Sequence, residues 1–80
     1  MSIEYVDNYL KNHGLIVVKF YSLEYTIEYK DSKYTIYAII TPKIRKRYNS
    51  LMDLLENYLV YGESIKKNIN SLSLITNIYD

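Results

Sequence analysis

The sequence predicts a two-layer α+β fold, in which a three-stranded antiparallel meander packs against two main helices. Apolar residues recur at helical spacing up to His13, alternate with polar residues after Leu15, and return to helical spacing after Ser50. The predicted order is therefore helix, three strands and helix, followed by a short helix or a fourth strand. Because 80 residues support only one hydrophobic core, we expect residues 1–80 to form a single domain, with residues 72–80 as a candidate extended tail.

The first segment, from Ser2 to His13, is predicted to be an amphipathic helix. Its apolar residues recur at helical spacing and would share one face, namely Ile3, Val6, Tyr9 and Leu10. Ser2 is a favourable N-cap residue, because its hydroxyl can accept a hydrogen bond from a free backbone N–H group of the first turn. Gly14 can adopt a left-handed backbone, so we expect the helix to end there.

A hairpin centred on Asp31-Ser32 joins the second and third predicted strands. In this register the cross-strand pairs share one face, and a shift by one residue would send half of the side chains to the opposite face. Asp31-Ser32 lacks the glycine that two-residue turns favour, and a four-residue loop from Lys30 to Lys33 is an alternative with the same register. The predicted pairs are Tyr29 with Tyr34, Ile27 with Ile36, Tyr25 with Ala38 and Leu23 with Ile40.

The segment from Leu15 to Phe20 is predicted to be the strand that precedes this hairpin. A turn at Tyr21-Ser22 would place Lys19 opposite Glu24, which is a favourable charge pair. Tyr21-Ser22 is a poor turn sequence, so one long bent strand is the alternative. The turn would pair Phe20 with Leu23, Val18 with Tyr25 and Ile16 with Ile27, and its register agrees with that of the hairpin.

Pro42 is expected to end the third strand, since proline has no backbone N–H to donate. A second helix is predicted from Ser50 to Tyr61, where Ser50 and Asp53 resemble a capping box and Gly62 follows the last turn. The apolar positions of this helix are Leu51, Leu54, Leu55, Tyr58 and Leu59.

The region after Gly62 is less regular. Ile65, Ile69 and Leu72 have the spacing of a short third helix. Residues 72–75 alternate weakly between apolar and polar and are the candidate for a fourth strand.

Composition and motifs argue against an enzyme. The chain contains ten Lys and Arg residues and nine Asp and Glu residues, so its net charge is +1. It contains no cysteine. Thiol nucleophiles, disulfides and thiolate metal sites are therefore excluded. No phosphate-binding loop, dinucleotide fingerprint or metal-ligand spacing is present, so we expect no cofactor, no metal and no small-molecule substrate. His13, the only histidine, is interpreted as a favourable residue at a helix C-terminus.

The sequence also favours a cytoplasmic protein without membrane contact. No segment approaches the roughly 18 apolar residues of a membrane span, and the first residues do not resemble a signal peptide. Tyr, Ile, Lys and Asn together make up 37 of the 80 residues, and all four have AT-rich codons. This bias favours an AT-rich genome, such as that of a low-GC bacterium, a thermoacidophilic archaeon, or a virus or plasmid of either. For a viral protein the expected location is the host cytoplasm.

The segment Lys43–Tyr48, which we call the basic run, contains four cations in five positions. We expect it to be a loop that leads into the second helix, where cations and free N–H groups can bind phosphate. A solvated loop that only maintains solubility is the alternative interpretation. The candidate residues for binding phosphate or nucleic acid are Lys43, Arg45, Lys46, Arg47, Tyr48 and Ser50.

Eleven tyrosines and a partly apolar second sheet face suggest a protein-binding surface. Tyrosine gives a large contact area at a low entropic cost, and a lone core of this size would be small. Codon bias alone is the alternative explanation for the tyrosines. The predicted interface residues are Leu15, Val17, Tyr21, Tyr37, Ile39 and Tyr61.

These patterns favour a small non-catalytic interaction protein that binds another protein or itself, as a homo-oligomer such as a homodimer. An accessory protein of a virus or mobile element, acting on a host factor, would fit the size and composition. A small nucleic-acid-binding regulator that uses residues 43–48 is the second hypothesis. The third is a structural subunit, in which the tail adds a strand to the sheet of a neighbour.

Overall fold

The computed structural model of the chain describes residues 1–75. Within this range the helices are α1 (Ile3–His13) and α2 (Leu51–Asn57). The strands are β1 (Leu15–Phe20), β2 (Leu23–Lys30), β3 (Lys33–Ala38), β4 (Lys46–Tyr48), β5 (Leu59–Val60), β6 (Glu63–Ser64) and β7 (Ser73–Leu74). A turn of 3₁₀ helix, Ile69–Ser71, precedes β7.

Five of the strands form one antiparallel sheet in the order β4-β3-β2-β1-β7. The other two, β5 and β6, pair in a separate hairpin. β1, β2 and β3 are the predicted meander, so the predicted α+β fold is confirmed, and β4 and β7 extend the sheet at its two edges. Helix α1 packs against β1 and β2, and α2 packs against β3 and β4.

Every predicted cross-strand pair of the meander is confirmed except that of Leu23 with Ile40. That pair is wrong because β3 ends at Ala38 and the chain makes two consecutive turns. The Thr41 N–H donates to the Ala38 carbonyl at 3.1 Å, and the Ile44 N–H donates to the Thr41 carbonyl at 3.0 Å. These turns carry Ile40 off the sheet into an exposed position.

Both turns of the meander adopt positive φ angles without glycine. Asp31 and Ser32 have φ of 54° and 62°, as in a type I′ turn, and Tyr21 has φ of 58° at the first turn position. Such turns match the right-handed twist of the paired strands. The paired strands therefore impose two-residue turns on poor turn sequences, and neither the four-residue loop nor the long bent strand forms.

Part of the basic run is a strand rather than the predicted loop. Arg47 lies opposite Thr35 and Tyr48 lies opposite Tyr34, so β4 extends the sheet beyond β3. The loop prediction is wrong for β4 because the turns after Ala38 reverse the chain and return it alongside β3. Pairing there satisfies backbone N–H and C=O groups that β3 would otherwise expose.

Helix α1 begins and ends as predicted. The Ser2 hydroxyl accepts a hydrogen bond from the Tyr5 N–H at 3.0 Å. Gly14 has φ of 82°, and its N–H donates to the Leu10 carbonyl at 2.7 Å. Val6 and Leu10 are fully buried, so the helix presents its predicted apolar face to the sheet.

Helix α2 is shorter than predicted and ends at Asn57 instead of Tyr61. Its start is as expected, because the Ser50 hydroxyl accepts a hydrogen bond from the Asp53 N–H at 3.0 Å. At its end the Asn57 side chain donates to the Asp53 carbonyl at 3.0 Å, and such local bonds compete with helical continuation. The chain then forms the β5–β6 hairpin, which buries Val60.

The predicted third helix is present only as the short 3₁₀ helix Ile69–Ser71. After β6 the chain makes turns, in one of which the Asn68 N–H donates to the Ile65 carbonyl at 3.0 Å. Ile65 and Leu72 lie before and after this 3₁₀ helix, and both are buried in the core. Ser73–Leu74 pairs with β1 of the same chain, which confirms a strand there, and residues 76–80 of the predicted tail lie outside the described residues.

One hydrophobic core lies between the main sheet and the two helices. The sheet contributes alternate residues of its three central strands, and the β5–β6 hairpin and the segment after it close the side. The fully buried large side chains are Val6, Leu10, Ile16, Val18, Phe20, Ile27, Ile36, Leu54, Leu55 and Ile65.

The left-handed turn at Asp31-Ser32 generates a stability prediction. Ser32→Gly should raise the free energy of unfolding by about 0.5–1 kcal/mol, because glycine adopts positive φ without a steric cost. Ser22→Gly is the matched control, since Ser22 is not among the residues with positive φ. That variant should lower the free energy of unfolding by about 0.5–1 kcal/mol. Urea denaturation measures both, and equal effects of the two changes would contradict the assigned turns.

Candidate functional site

The face of the main sheet opposite the helices carries a groove of about 410 Å³ near the β2–β3 turn. Its lining combines four cations, two carboxylates and a threonine hydroxyl. We call it the basic groove, and its residues are Glu28, Lys30, Asp31, Lys33, Thr35, Arg45 and Arg47.

Strand pairing brings most of these residues together. Lys30 lies directly opposite Lys33, and Thr35 lies directly opposite Arg47. Side chains of a strand point alternately to its two faces, so these four residues share the face without helices. The groove thus combines cations from three adjacent strands.

Arg45 is the most extensively bonded cation of the groove. Its Nε donates to the Pro42 carbonyl at 2.9 Å, and its Nη1 lies 3.4 Å from the Glu28 carboxylate. Its guanidinium carbon lies 4.1 Å from the centre of the Tyr37 ring. The Tyr37 hydroxyl also donates to Glu28 at 3.5 Å, so the three side chains form one cluster.

The basic run is divided between the two faces of the sheet. Lys46 lies opposite Ile36 and Tyr48 lies opposite Tyr34, and both partners are buried on the helix side. Burial raises the pKa of Tyr48, and the nearby Asp53 carboxylate raises it further. Neither Lys46 nor Tyr48 lines the basic groove.

Of the six residues predicted to bind phosphate, only Arg45 and Arg47 line the groove. Lys43 belongs to the exposed loop before β4, and the Ser50 hydroxyl caps α2. The prediction missed Lys30 and Lys33. Both lysines flank the predicted turn at Asp31-Ser32, but the predicted hairpin gives no indication that Arg47 lies on the adjacent strand.

Four of the six predicted interface residues lie on or beside the face without helices. Leu15, Tyr37 and Ile39 are half-buried there. Val17 is only 5% exposed, so a partner could not reach it. The other two, Tyr21 and Tyr61, are exposed at the end of the sheet where β1 meets β2.

Tyr21 and Tyr61 come together although 40 positions separate them in the sequence. Their ring centres lie 5.9 Å apart, and the side chains are 46% and 74% exposed. Leu59, on the same hairpin as Tyr61, is 58% exposed. We call Tyr21, Leu59 and Tyr61 the tyrosine surface.

Two contacts hold Tyr21 in place. Its ring centre lies 4.5 Å from that of the buried Phe20, and its hydroxyl donates to the Glu63 carboxylate at 3.2 Å. Partial burial raises the pKa of Tyr21, and the hydrogen bond and charge of Glu63 raise it further. The same hydrogen bond and the positive charge of Lys67 lower the pKa of Glu63, which also accepts a hydrogen bond from Asn68.

His13 lies at the end of α1 and does not line the basic groove. Its ring stacks on that of Tyr9 at 4.1 Å, and its Nδ1 lies 3.1 Å from the Tyr9 carbonyl oxygen. Within residues 1–75, no group of three or more His, Asp or Glu side chains is placed to hold a metal ion. In the same range, no helix has the length and apolar character needed to cross a membrane.

The chain was compared with protein-family models, curated proteins and solved structures. No protein-family model matches the chain, and no curated protein or solved structure is significantly similar to it.

The lowered pKa of Glu63 generates a pH-dependence prediction. Because the native state binds the Glu63 proton less tightly than the unfolded chain does, Glu63 stabilises the fold above the ordinary carboxyl pKa of 4.5. This contribution is lost as the pH falls through the lower native value. Glu63→Gln should therefore lose less stability than the wild type on acidification below pH 4.5.

Denaturant unfolding at a series of acidic pH values measures this difference. Glu56→Gln is the matched control, since it also removes one exposed carboxylate, which has a single ion pair with Lys66 at 3.8 Å. If the Glu63→Gln and wild-type curves stay parallel on acidification, Glu63 does not anchor Tyr21 as described.

Proposed function

We propose that this chain is a non-catalytic interaction protein that binds another protein, or a second copy of itself, through the tyrosine surface. One observation carries the proposal: two exposed tyrosines sit at strained turn positions on two different hairpins and touch each other. Tyr21 has φ of 58° and Tyr61 has φ of 53°.

The backbone at these positions favours other residues. A side chain other than glycine or asparagine costs roughly 1–2 kcal/mol in the left-handed region. A turn in which Gly62 follows with φ of 80° would ordinarily have asparagine at the position of Tyr61. Because Tyr61 is 74% exposed, burial of its ring within the chain offsets little of this cost.

A binding role explains why tyrosines occupy these positions. Tyrosine is enriched at protein interfaces because its ring gives apolar contact area and its hydroxyl gives a hydrogen bond. Tyr21 is already ordered by Phe20 and Glu63, so a partner would meet a fixed ring. Side chains ordered before binding lose less entropy on association.

Other exposed apolar side chains lie at the same end of the sheet. The Ile39 N–H donates to the Glu24 carbonyl at 2.9 Å, which places the β3–β4 loop beside the start of β2. This loop exposes Ile40 and Ile44. Among residues 1–75, five of the seven exposed large apolar side chains therefore belong to the turns, loops and β5–β6 hairpin at this end, which supports a binding surface there.

The first test separates folding from binding at Tyr61. Tyr61→Asn should leave the free energy of unfolding unchanged or raise it by up to about 1 kcal/mol, because asparagine tolerates positive φ. Denaturant unfolding measures the change. A loss of more than about 1 kcal/mol would show that the ring is needed for the fold, and the proposal would fail.

The same variant tests association. Sedimentation across a concentration series detects self-association, and affinity capture from host cells detects other proteins. We expect Tyr61→Asn to lose the partner. The control variant Tyr5→Gln changes an exposed tyrosine that lies on α1, and it should still bind the partner. If the wild type stays monomeric and captures the same proteins as Tyr61→Asn, the tyrosine surface is not an interface.

A further inference from the structure

We propose that the basic groove binds the phosphate backbone of single-stranded nucleic acid. This inference goes beyond the protein-binding function proposed above, and it rests on different residues. It also differs from the hypothesis based on the basic run, because two of the four cations come from the β2–β3 hairpin.

The charge of the groove supports a polyanionic ligand. Its lining contains four cations and two carboxylates, so the groove has a net charge of +2. The whole chain has a net charge of only +1. Positive charge is thus concentrated in one depression on an otherwise balanced surface. A localised basic surface of this kind is the electrostatic signature of phosphate recognition.

Two of the cations are available to a ligand. Among the described residues, neither Lys30 nor Arg47 has an ion-pair or hydrogen-bond partner for its side chain. The carboxylate of Glu28 is already bonded to Arg45 and Tyr37. Its repulsion of a phosphate is therefore partly neutralised within the protein.

The positions of the cations suit separate phosphate groups. Lys33 lies on β3, two residues before Thr35, which is opposite Arg47 on β4. Such diagonal neighbours are roughly 7–8 Å apart, so the two side chains can reach different phosphates of one strand. The Thr35 hydroxyl between them adds a hydrogen-bond donor.

Arg45 and Tyr37 favour a single strand over a duplex. Unstacked bases bind to aromatic rings and to guanidinium planes on open sheet surfaces. The guanidinium of Arg45 covers the Tyr37 ring at 4.1 Å and is itself half exposed, so a base could stack on its outer side. Duplex readers often place a helix in the major groove, whereas both helices described within residues 1–75 pack on the other face of the sheet.

The test measures binding of fluorescently labelled single-stranded DNA and RNA oligonucleotides, and of a duplex, by anisotropy across a salt series. Phosphate contacts by Lys30, Lys33 and Arg47, which have no ion pair within residues 1–75, predict a slope of log affinity against log salt of about −2.1 for a single strand. The double variant Lys30→Gln/Arg47→Gln should reduce the slope to about −0.7 and weaken binding about tenfold near physiological salt. Binding to both DNA and RNA would indicate backbone recognition, and preference for RNA would indicate contact with the 2′-hydroxyl.

The matched control is Lys43→Gln/Lys46→Gln, which removes the same charge from the basic run but outside the groove. This variant should retain most of the affinity and the slope. Three results would each overturn the proposal. They are an equal loss of affinity in the two double variants, tighter binding to the duplex than to the single strand, and no binding of the wild type at low salt. Thermal unfolding checks that the variants fold. If Lys30→Gln/Arg47→Gln does not fold, the single variant Arg47→Gln is measured in its place.

Discussion

The register of β2 between β1 and β3 is the constraint on which the other features depend. Ile27 lies opposite Ile16 on one side and Ile36 on the other, and all three are fully buried. Because side chains alternate along a strand, placing this row in the core also places Lys30 and Lys33 on the opposite face. The same pairing therefore builds the core and one wall of the basic groove.

Features that follow a simple local period could be predicted from the sequence. Helix α1, the meander and its register belong to this class, because the spacing of apolar residues and the caps of α1 agree with the tertiary structure. Strand β4 could not be predicted, since three residues show no alternation and its position depends on two turns after Ala38. The end of α2 was missed because the Asn57 side chain and the burial of Val60 outweigh the helical pattern.

The two candidate surfaces were less predictable than the fold, because each joins residues that are distant in the sequence. Strand pairing divides the basic run and joins Arg47 to the hairpin lysines. Tyr21 and Tyr61 were each predicted as interface residues, but their contact depends on the β5–β6 hairpin. A helix continuing to Tyr61, as the sequence suggested, would have precluded the turn at which Tyr61 meets Tyr21.

The short edge strand β4 also bears on how the protein avoids aggregation. The central strands are rich in isoleucine, valine and tyrosine, which is the composition that forms intermolecular β-structure when an edge is left open. β4 covers β3 with only three residues and displays Lys46 and Arg47, both exposed. A second molecule that approached this edge would meet two positive charges and a strand of only three residues with which to form hydrogen bonds. Intermolecular strand pairing at β4 is therefore disfavoured.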